Sequence, residues 1–180
     1  MFEKNSHCSY CGHAFRNSAP WPRRCADCGN MTFLNPLPVA VTLVPVDQGL
    51  IVIRRSIEPR IGMLALPGGY INLGETWQEA AAREVCEETG IVVSAAEINE
   101  FGVRSAGDGT LLIFGLAKAR TSSSIPPFEP TAESTERFIL TEPQDLAFAL
   151  HTEMVGIFFH ERRKKKNRDS EINQRRQRVI

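Results

Sequence analysis

The 180-residue chain lacks an uninterrupted apolar stretch that could cross a membrane. Its longest run without a charged residue covers residues 28–46, and three prolines interrupt it: Pro36, Pro38 and Pro45. The first eight residues lack the apolar core of a secretory signal, which predicts a cytoplasmic protein without a membrane partner. Internal repeats are absent, and a hydrophobic content of 42% excludes a chain that is disordered throughout.

The chain also lacks net charge, but its 21 basic and 21 acidic residues are unevenly distributed. Residues 161–180 contain nine Lys or Arg and three acids, whereas the preceding part has 12 basic and 18 acidic residues. This basic segment lacks apolar periodicity, which predicts a disordered tail. Such a run can contact RNA phosphates, although a charged terminus is more often only solvated. The acidic body is compatible with a metal site built from carboxylates.

Cysteine is scarce, and four of the five residues form two closely spaced pairs: Cys8 with Cys11 and Cys25 with Cys28. Two Cys-x-x-Cys pairs at this spacing are typical of a zinc ribbon, in which four thiolates complete a tetrahedron around one structural Zn²⁺. The pattern therefore predicts a zinc ribbon over residues 1–34. His7 and His13 flank the first pair but are not needed as ligands, and Cys86 is expected to be a small core residue.

Residues 35–160 alternate between strand and helix signals. Two β-branched runs surround Asp47-Gln48-Gly49, which is typical of a hairpin. A helix is expected between Thr76, which with Glu79 forms a capping box, and Gly90, which ends the helix. Further strands are predicted at residues 63–66, 98–104, 111–119 and 138–140, with a second helix within 145–159. The order of these elements predicts an α/β sandwich.

Three carboxylates are predicted to share one face of the first helix. Glu84, Glu87 and Glu88 stand at positions i, i+3 and i+4, where side chains of a helix are neighbours. Like charges at this spacing destabilise a helix, and a divalent cation removes the repulsion. Ligand sets made only of oxygen suit Mg²⁺ or Mn²⁺. This pattern predicts a metal site on the helix.

Neighbouring residues can complete such a site. Arg83 can orient or neutralise the acidic cluster, and Glu75 can reach a second metal or position its water. The pair Gly68-Gly69 permits positive φ angles and close approach of the backbone to a ligand, so the carbonyl of Gly68 can join the carboxylates.

From Gly69 to Ile91 the residues match a known motif. The order of glycine, Glu75, Arg83 and the three glutamates resembles the Nudix box, GX5EX7REUXEEXGU, with every position present. The resemblance implies a Nudix α/β/α sandwich that hydrolyses a nucleoside diphosphate linked to another moiety, with Mg²⁺ or Mn²⁺ as cofactor. It implies that Glu84, Glu87 and Glu88 are metal ligands, with the Gly68 carbonyl as a further candidate. Glu75 would organise the metal shell, and Arg83 would orient Glu84 or Glu87.

The same resemblance leaves the general base open between a glutamate of the box and a carboxylate on a later loop. Glu129, Glu133 and Glu136 follow a flexible stretch, and all three can equally be surface acids. Glu133 is preferred over Glu136, because Glu136 abuts a predicted strand.

A zinc ribbon ahead of a Nudix domain resembles two groups of enzymes. One is the NADH pyrophosphatases, which also remove NAD caps from RNA; the other includes plant FAD pyrophosphatases. Asn35-Pro36 and the absence of an SQPWPFPxS-like motif favour the second group, so FAD or ADP-ribose is the expected substrate. NADH or NAD-capped RNA is an alternative, as is a non-catalytic module that binds nucleotide or RNA. The family often dimerises, so a homodimer is also expected.

Overall fold

The computed structural model describes residues 4–16 and 20–177, with side chains described up to residue 168. The chain divides into two compact units, Met1–Leu37 and Pro38–Ile180. This division lies three residues beyond residue 34, the predicted end of the zinc ribbon.

The first unit contains a two-stranded antiparallel sheet of β1 (Arg23–Arg24) and β2 (Met31–Thr32). Among its described residues the buried side chains are Cys8, Cys25 and Thr32. So small a core supplies little hydrophobic stabilisation, which makes this unit dependent on another source of stability.

The second unit contains two four-stranded sheets and two long helices. One sheet has the strand order β7-β3-β9-β8; in the other, β5 lies between β10 and β4 and also pairs with β6. The strands are β3 (Leu37–Leu43), β4 (Pro45–Val46), β5 (Gly49–Arg55), β6 (Leu64–Ala65), β7 (Gly68–Tyr70), β8 (Ile98–Ser105), β9 (Thr110–Ala117) and β10 (Ser134–Leu140). The helices are α1 (Trp77–Thr89) and α2 (Ala149–Gln177), and Ala95–Glu97 and Ser122–Ser124 form short 3₁₀ turns.

The central strands are covered on both faces. Along β3, Val41 and Leu43 pack in one hydrophobic cluster with residues of α2, whereas Ala40 belongs to a second cluster with residues of α1. In β5, Val52 and Ile51 divide between the two clusters in the same way. Successive side chains of a strand point to opposite faces, so these apolar runs bury both sides. The predicted α/β sandwich is confirmed.

Local signals placed the hairpin and the first helix correctly. Val46 pairs with Gly49 across the two-residue turn, in which Asp47 has a φ of 49°. In α1 the Thr76 hydroxyl accepts the amide of Glu79, and the Glu79 carboxylate accepts the amide of Thr76 at 2.7 Å. Gly90 ends the helix with a φ of 71°. Strand β10 begins at Ser134, earlier than predicted.

The basic segment differs from the sequence-based prediction of a disordered tail. Helix α2 continues into it as far as Gln177, in line with the helical propensity of Arg, Lys, Glu and Gln, and residues 178–180 of the predicted tail lie outside the described residues. Arg162 is fastened to the hairpin turn, where it donates to the Asp47 carbonyl and the Gln48 amide oxygen. Although α2 is 29 residues long, none of the described helices is apolar enough over a sufficient length to span a membrane.

Near its start, α2 carries a buried histidine. His151 is 5% exposed, and its Nδ1 accepts the Leu66 amide at 3.3 Å. Its ring lies 5.9 Å from the Phe114 ring and 5.0 Å from the Phe148 ring. Burial, together with the positive charge of Arg55, lowers the pKa of His151 to about 3. The imidazole is therefore neutral in the folded protein at neutral pH.

Replacing His151 should reduce the sensitivity of the fold to acid. Because the folded-state pKa is lower than the unfolded value of 6.5, the stability present above pH 6.5 is lost as the pH falls toward 3. At pH 5 the loss from this residue is about 2 kcal/mol. His151→Asn keeps an acceptor for the Leu66 amide but does not titrate. Denaturant unfolding at pH 8 and pH 5 should show a larger loss in the wild type than in the variant, and equal losses would contradict the assignment.

Candidate functional site

Arg83 joins the acidic residues of the box into one network. Its Nε and Nη2 donate to the two carboxylate oxygens of Glu75 at 3.2 and 2.8 Å. Its Nη1 donates to Glu84 at 2.7 Å and to Glu87 at 3.1 Å. A further bond runs from Nη2 to the Tyr70 carbonyl at 3.0 Å. One guanidinium thereby offsets the repulsion among three carboxylates and ties α1 to β7.

The two glycines of β7 lie directly beside the other carboxylates. The Gly68 amide donates to Glu88 Oε2 at 2.9 Å. A Cβ on Gly69 would collide with the carboxylate of Glu84, and one on Gly68 would collide with the backbone of β3. Glycine is required at both positions because β7 lies too close to Glu84 and to β3 to leave room for a side chain. Neither residue has the positive φ that glycine permits, since both belong to a regular strand.

Burial sets the electrostatics of this cluster. Glu88 is 3% exposed, and burial raises its pKa to about 8, with a further rise from the neighbouring carboxylates and an opposing effect of the Gly68 amide. Burial also raises the pKa of Glu84, against the opposing effect of Arg83. Hydrogen bonds from Arg83 lower the pKa of Glu75 to about 2. Burial therefore disfavours the ionised forms of Glu84 and Glu88. A divalent cation bound to their carboxylate oxygens would neutralise the negative charge.

Among the loop carboxylates, Glu133 shares a cleft with the acidic cluster. The cleft measures about 890 Å³, and Glu84, Glu87, Glu88 and Glu133 line it. Glu136 instead forms an ion pair with Arg54, and it and Glu129 are not among the described residues that line the cleft. The preference for Glu133 over Glu136 thus has a structural counterpart, while its role stays a prediction.

Hydrogen bonds hold the backbone on both sides of Glu133. The Ser56 amide donates to the Glu133 carbonyl at 3.0 Å, and the Ser56 hydroxyl donates to the Ala132 carbonyl at 2.6 Å. Ser134 is fully buried and donates from its hydroxyl to the backbone carbonyl of Glu88. The backbone beside Glu133 is therefore held against the end of α1 that carries Glu88.

Several residues of the cleft were missed in the sequence. Arg55, Phe148 and His151 form part of its lining, although they are far from the box in the chain. The available signal for Arg55 was the charged pair Arg54-Arg55, which ends the otherwise apolar strand β5. Tyr70, an exposed aromatic residue of β7, also lines the cleft.

In the first unit the four predicted cysteines converge. Their Sγ atoms all lie within 4.8 Å of one another. The amides of Gly12 and Gly29 donate to the carbonyls of Cys8 and Cys25 at 3.0 and 3.1 Å, so the two loops have the same turn. Backbone amides of Cys11 and Tyr10 lower the pKa of Cys8, whereas burial and the neighbouring thiols raise the pKa of Cys11. Four convergent sulfurs fit a tetrahedral metal with no open position.

The two helices differ in the burial of single residues. Phe158 and Phe159 of α2 are buried. Cys86 was expected in the core, but its side chain is exposed. The buried positions of α1 around it are Ala81, Val85 and Thr89, which leave residue 86 on the outer side of the helix.

Removing the metal from the cysteine cluster should unfold the first unit. We expect one zinc ion per chain by elemental analysis, because the buried side chains of this unit are too few to stabilise it. Chelation should change the fluorescence of Trp21, whose ring contacts Phe15 and Arg23.

The control for this experiment is Trp21→Phe, which leaves Trp77 of the second unit as the reporter and should show little change. Protein purified without chelator that contains no zinc would refute the metal site.

Comparisons with known proteins find matches to a domain family and to individual relatives. The chain matches the NUDIX domain over residues 36–158. Over 94 residues, 52% of the chain, it is 30% identical to the NAD-capped RNA hydrolase NudC of Edwardsiella ictaluri and 29% identical to that of Shigella flexneri. The match covers 36% of each relative, so the chain spans about a third of their length.

Solved structures share the fold. A NUDIX hydrolase from Nitrosomonas europaea superposes with a TM-score of 0.72 at 24% identity, covering 88% of this chain and 93% of that one. A bifunctional NMN adenylyltransferase/ADP ribose pyrophosphatase from Francisella tularensis gives a TM-score of 0.54 at 21% identity, covering 69% of this chain and 37% of that one. Because the domain match extends over more than half of its length, the chain belongs to the NUDIX family.

Proposed function

We propose that this protein hydrolyses the pyrophosphate bond of a nucleoside diphosphate linked to another moiety. The observation that carries the proposal is the convergence of Glu84, Glu87 and Glu88 with Arg83 beside β7, at the wall of a cleft large enough for a dinucleotide. Four charged side chains in this arrangement would cost stability without a ligand to neutralise them.

Each residue of the cluster has a role in this proposal. Glu84, Glu87 and Glu88 would hold Mg²⁺ or Mn²⁺, and the Gly68 carbonyl is a further candidate ligand. A cation held there neutralises the diphosphate and lowers the pKa of a bound water. Arg83 keeps Glu84 and Glu87 oriented, while Glu75 locks the guanidinium through two hydrogen bonds.

Glu133 is the proposed general base. Its position in the cleft with Glu84 and Glu88, whose pKa values its charge helps to raise, supports this role. A carboxylate there would accept the proton of the attacking water.

FAD or ADP-ribose is the proposed substrate class, on the evidence of Asn35-Pro36 and the missing NADH-type motif. A second candidate is NAD-capped RNA, because the relatives that match over 94 residues are named as hydrolases of it. The exposed basic residues 163–166 of α2 would suit the RNA portion of such a substrate.

A substrate panel tests the proposal. FAD, ADP-ribose, NADH and a NAD-capped RNA are incubated with Mg²⁺ or Mn²⁺, and the products are separated by chromatography. AMP with FMN, or AMP with ribose 5-phosphate, supports the first substrate class; release of NMN with a 5′-monophosphate RNA supports the second. Intact substrates throughout, from folded and zinc-loaded protein, would instead support a nucleotide-binding module.

Glu87→Gln should abolish most of the turnover. The substitution removes a charge from the proposed metal site, and a loss of about 100-fold or more in kcat is expected. Folding should change little, because the Glu87 side chain is 58% exposed. Rates with the preferred substrate and thermal unfolding measure the two effects.

The matched control is Glu100→Gln, which removes an exposed carboxylate outside the cleft and should leave the rate unchanged. Equal rates for Glu87→Gln and the wild type would exclude Glu87 from the metal site.

A further inference from the structure

A positively charged side chain, that of Arg55, lies in the cleft together with the carboxylates. Arg55, the last residue of β5, lines the cleft with Glu84, Glu88 and Glu133. Its Nε donates to the Pro59 carbonyl at 2.9 Å, and Nη2 donates to the Ile57 carbonyl at 3.4 Å. The guanidinium also lies 5.2 Å from the centre of the Phe148 ring. Two carbonyls and an aromatic face therefore hold the head group in one position.

The charge of Arg55 is not neutralised by an ion pair. No carboxylate of the described residues lies within ion-pair distance of it, whereas Arg54, its neighbour in β5, pairs with Glu136. Adjacent residues of a strand point to opposite sides, which explains the different surroundings. The two carbonyls occupy only part of the guanidinium, and its remaining N–H groups are available to a ligand.

Arg55 also acts at a distance on the acidic wall. Arg55 lines the cleft together with Glu88 and the neutral His151, and its positive charge helps to lower the pKa of His151. A ligand that reaches both Arg55 and the glutamates needs an anionic group that faces Arg55. It also needs oxygen atoms that can bind a cation held by the glutamates.

We propose that Arg55 forms a phosphate-binding subsite, which takes a non-bridging oxygen of the substrate's diphosphate. The subsite rests on the proposed function, in which a cation on the glutamates binds the diphosphate. Arg55 would provide a second contact to the same diphosphate. A planar guanidinium held by carbonyls presents paired N–H groups to a phosphoryl group with little loss of side-chain entropy. The ligand class is therefore a diphosphate, whereas a nucleoside alone gains nothing from Arg55.

Binding of a substrate analogue tests this subsite without turnover. α,β-Methylene-ADP carries a carbon bridge in place of the oxygen between its two phosphates, and it is titrated calorimetrically in Mg²⁺ against adenosine. Arg55→Gln should weaken binding of the analogue by about ten- to a hundred-fold, as expected for a charged hydrogen bond. Adenosine binding should not change. With a turned-over substrate, KM should rise by a similar factor while kcat is largely kept.

Two further variants control for charge and folding. Arg54→Gln removes the adjacent arginine, whose partner is Glu136, and should bind the analogue like the wild type. Arg55→Lys restores positive charge and should recover part of the affinity. If Arg55→Gln does not fold, Arg55→Met, which keeps an apolar stem over Phe148, is measured by the same criterion.

The results separate the subsite from the proposed hydrolysis. Equal affinity of the wild type and the folded Arg55 variant for the analogue would overturn the subsite, as would the absence of measurable binding to the wild type. Lost affinity in the variant, together with no turnover of any substrate by the wild type, would keep the diphosphate subsite and refute hydrolysis.

Discussion

Arg83 makes it possible for this chain to concentrate negative charge on one face of a helix. The carboxylates of Glu75, Glu84 and Glu87 converge on its guanidinium, and the Tyr70 carbonyl anchors the same group to β7. Without that cation the acidic face of α1 would repel itself, and burial would add to the cost. The geometry of the wall of the cleft therefore depends on this one side chain, which is only partly buried.

The second constraint is the short distance between strand β7 and helix α1. Strand β7 runs so near to α1 that Gly69 has no room for a side chain beside Glu84, while the Gly68 amide hydrogen-bonds to Glu88. The alternating burial of β3 and β5 keeps α1 and α2 on opposite faces of the strands. The acidic residues of α1 and the residues at the start of α2 nevertheless line the same cleft.

Local signals were sufficient for much of this fold. The hairpin at Asp47, the capping box at Thr76 and the stop at Gly90 depend on residues a few positions apart, and each was found where predicted. Burial was harder to predict, because it depends on which side of a helix meets a sheet, and Cys86 lies on the outer side. The helix over residues 161–177 was not predicted, because the absence of apolar periodicity was interpreted as disorder. The helix propensity of the residues in this segment was the signal that indicated a helix.

The sequence by itself determined the family, the acidic face of α1 and the two cysteine pairs, since these depend on fixed spacings within a short stretch of chain. Only the tertiary structure decided which distant residues join the site. It brought Glu133, which the sequence only preferred among three loop acids, into the cleft, and it turned Arg55 rather than Arg54 toward the cleft. Such choices depend on strand register and on the side to which each side chain points, and a shift of one residue along the strand would reverse them.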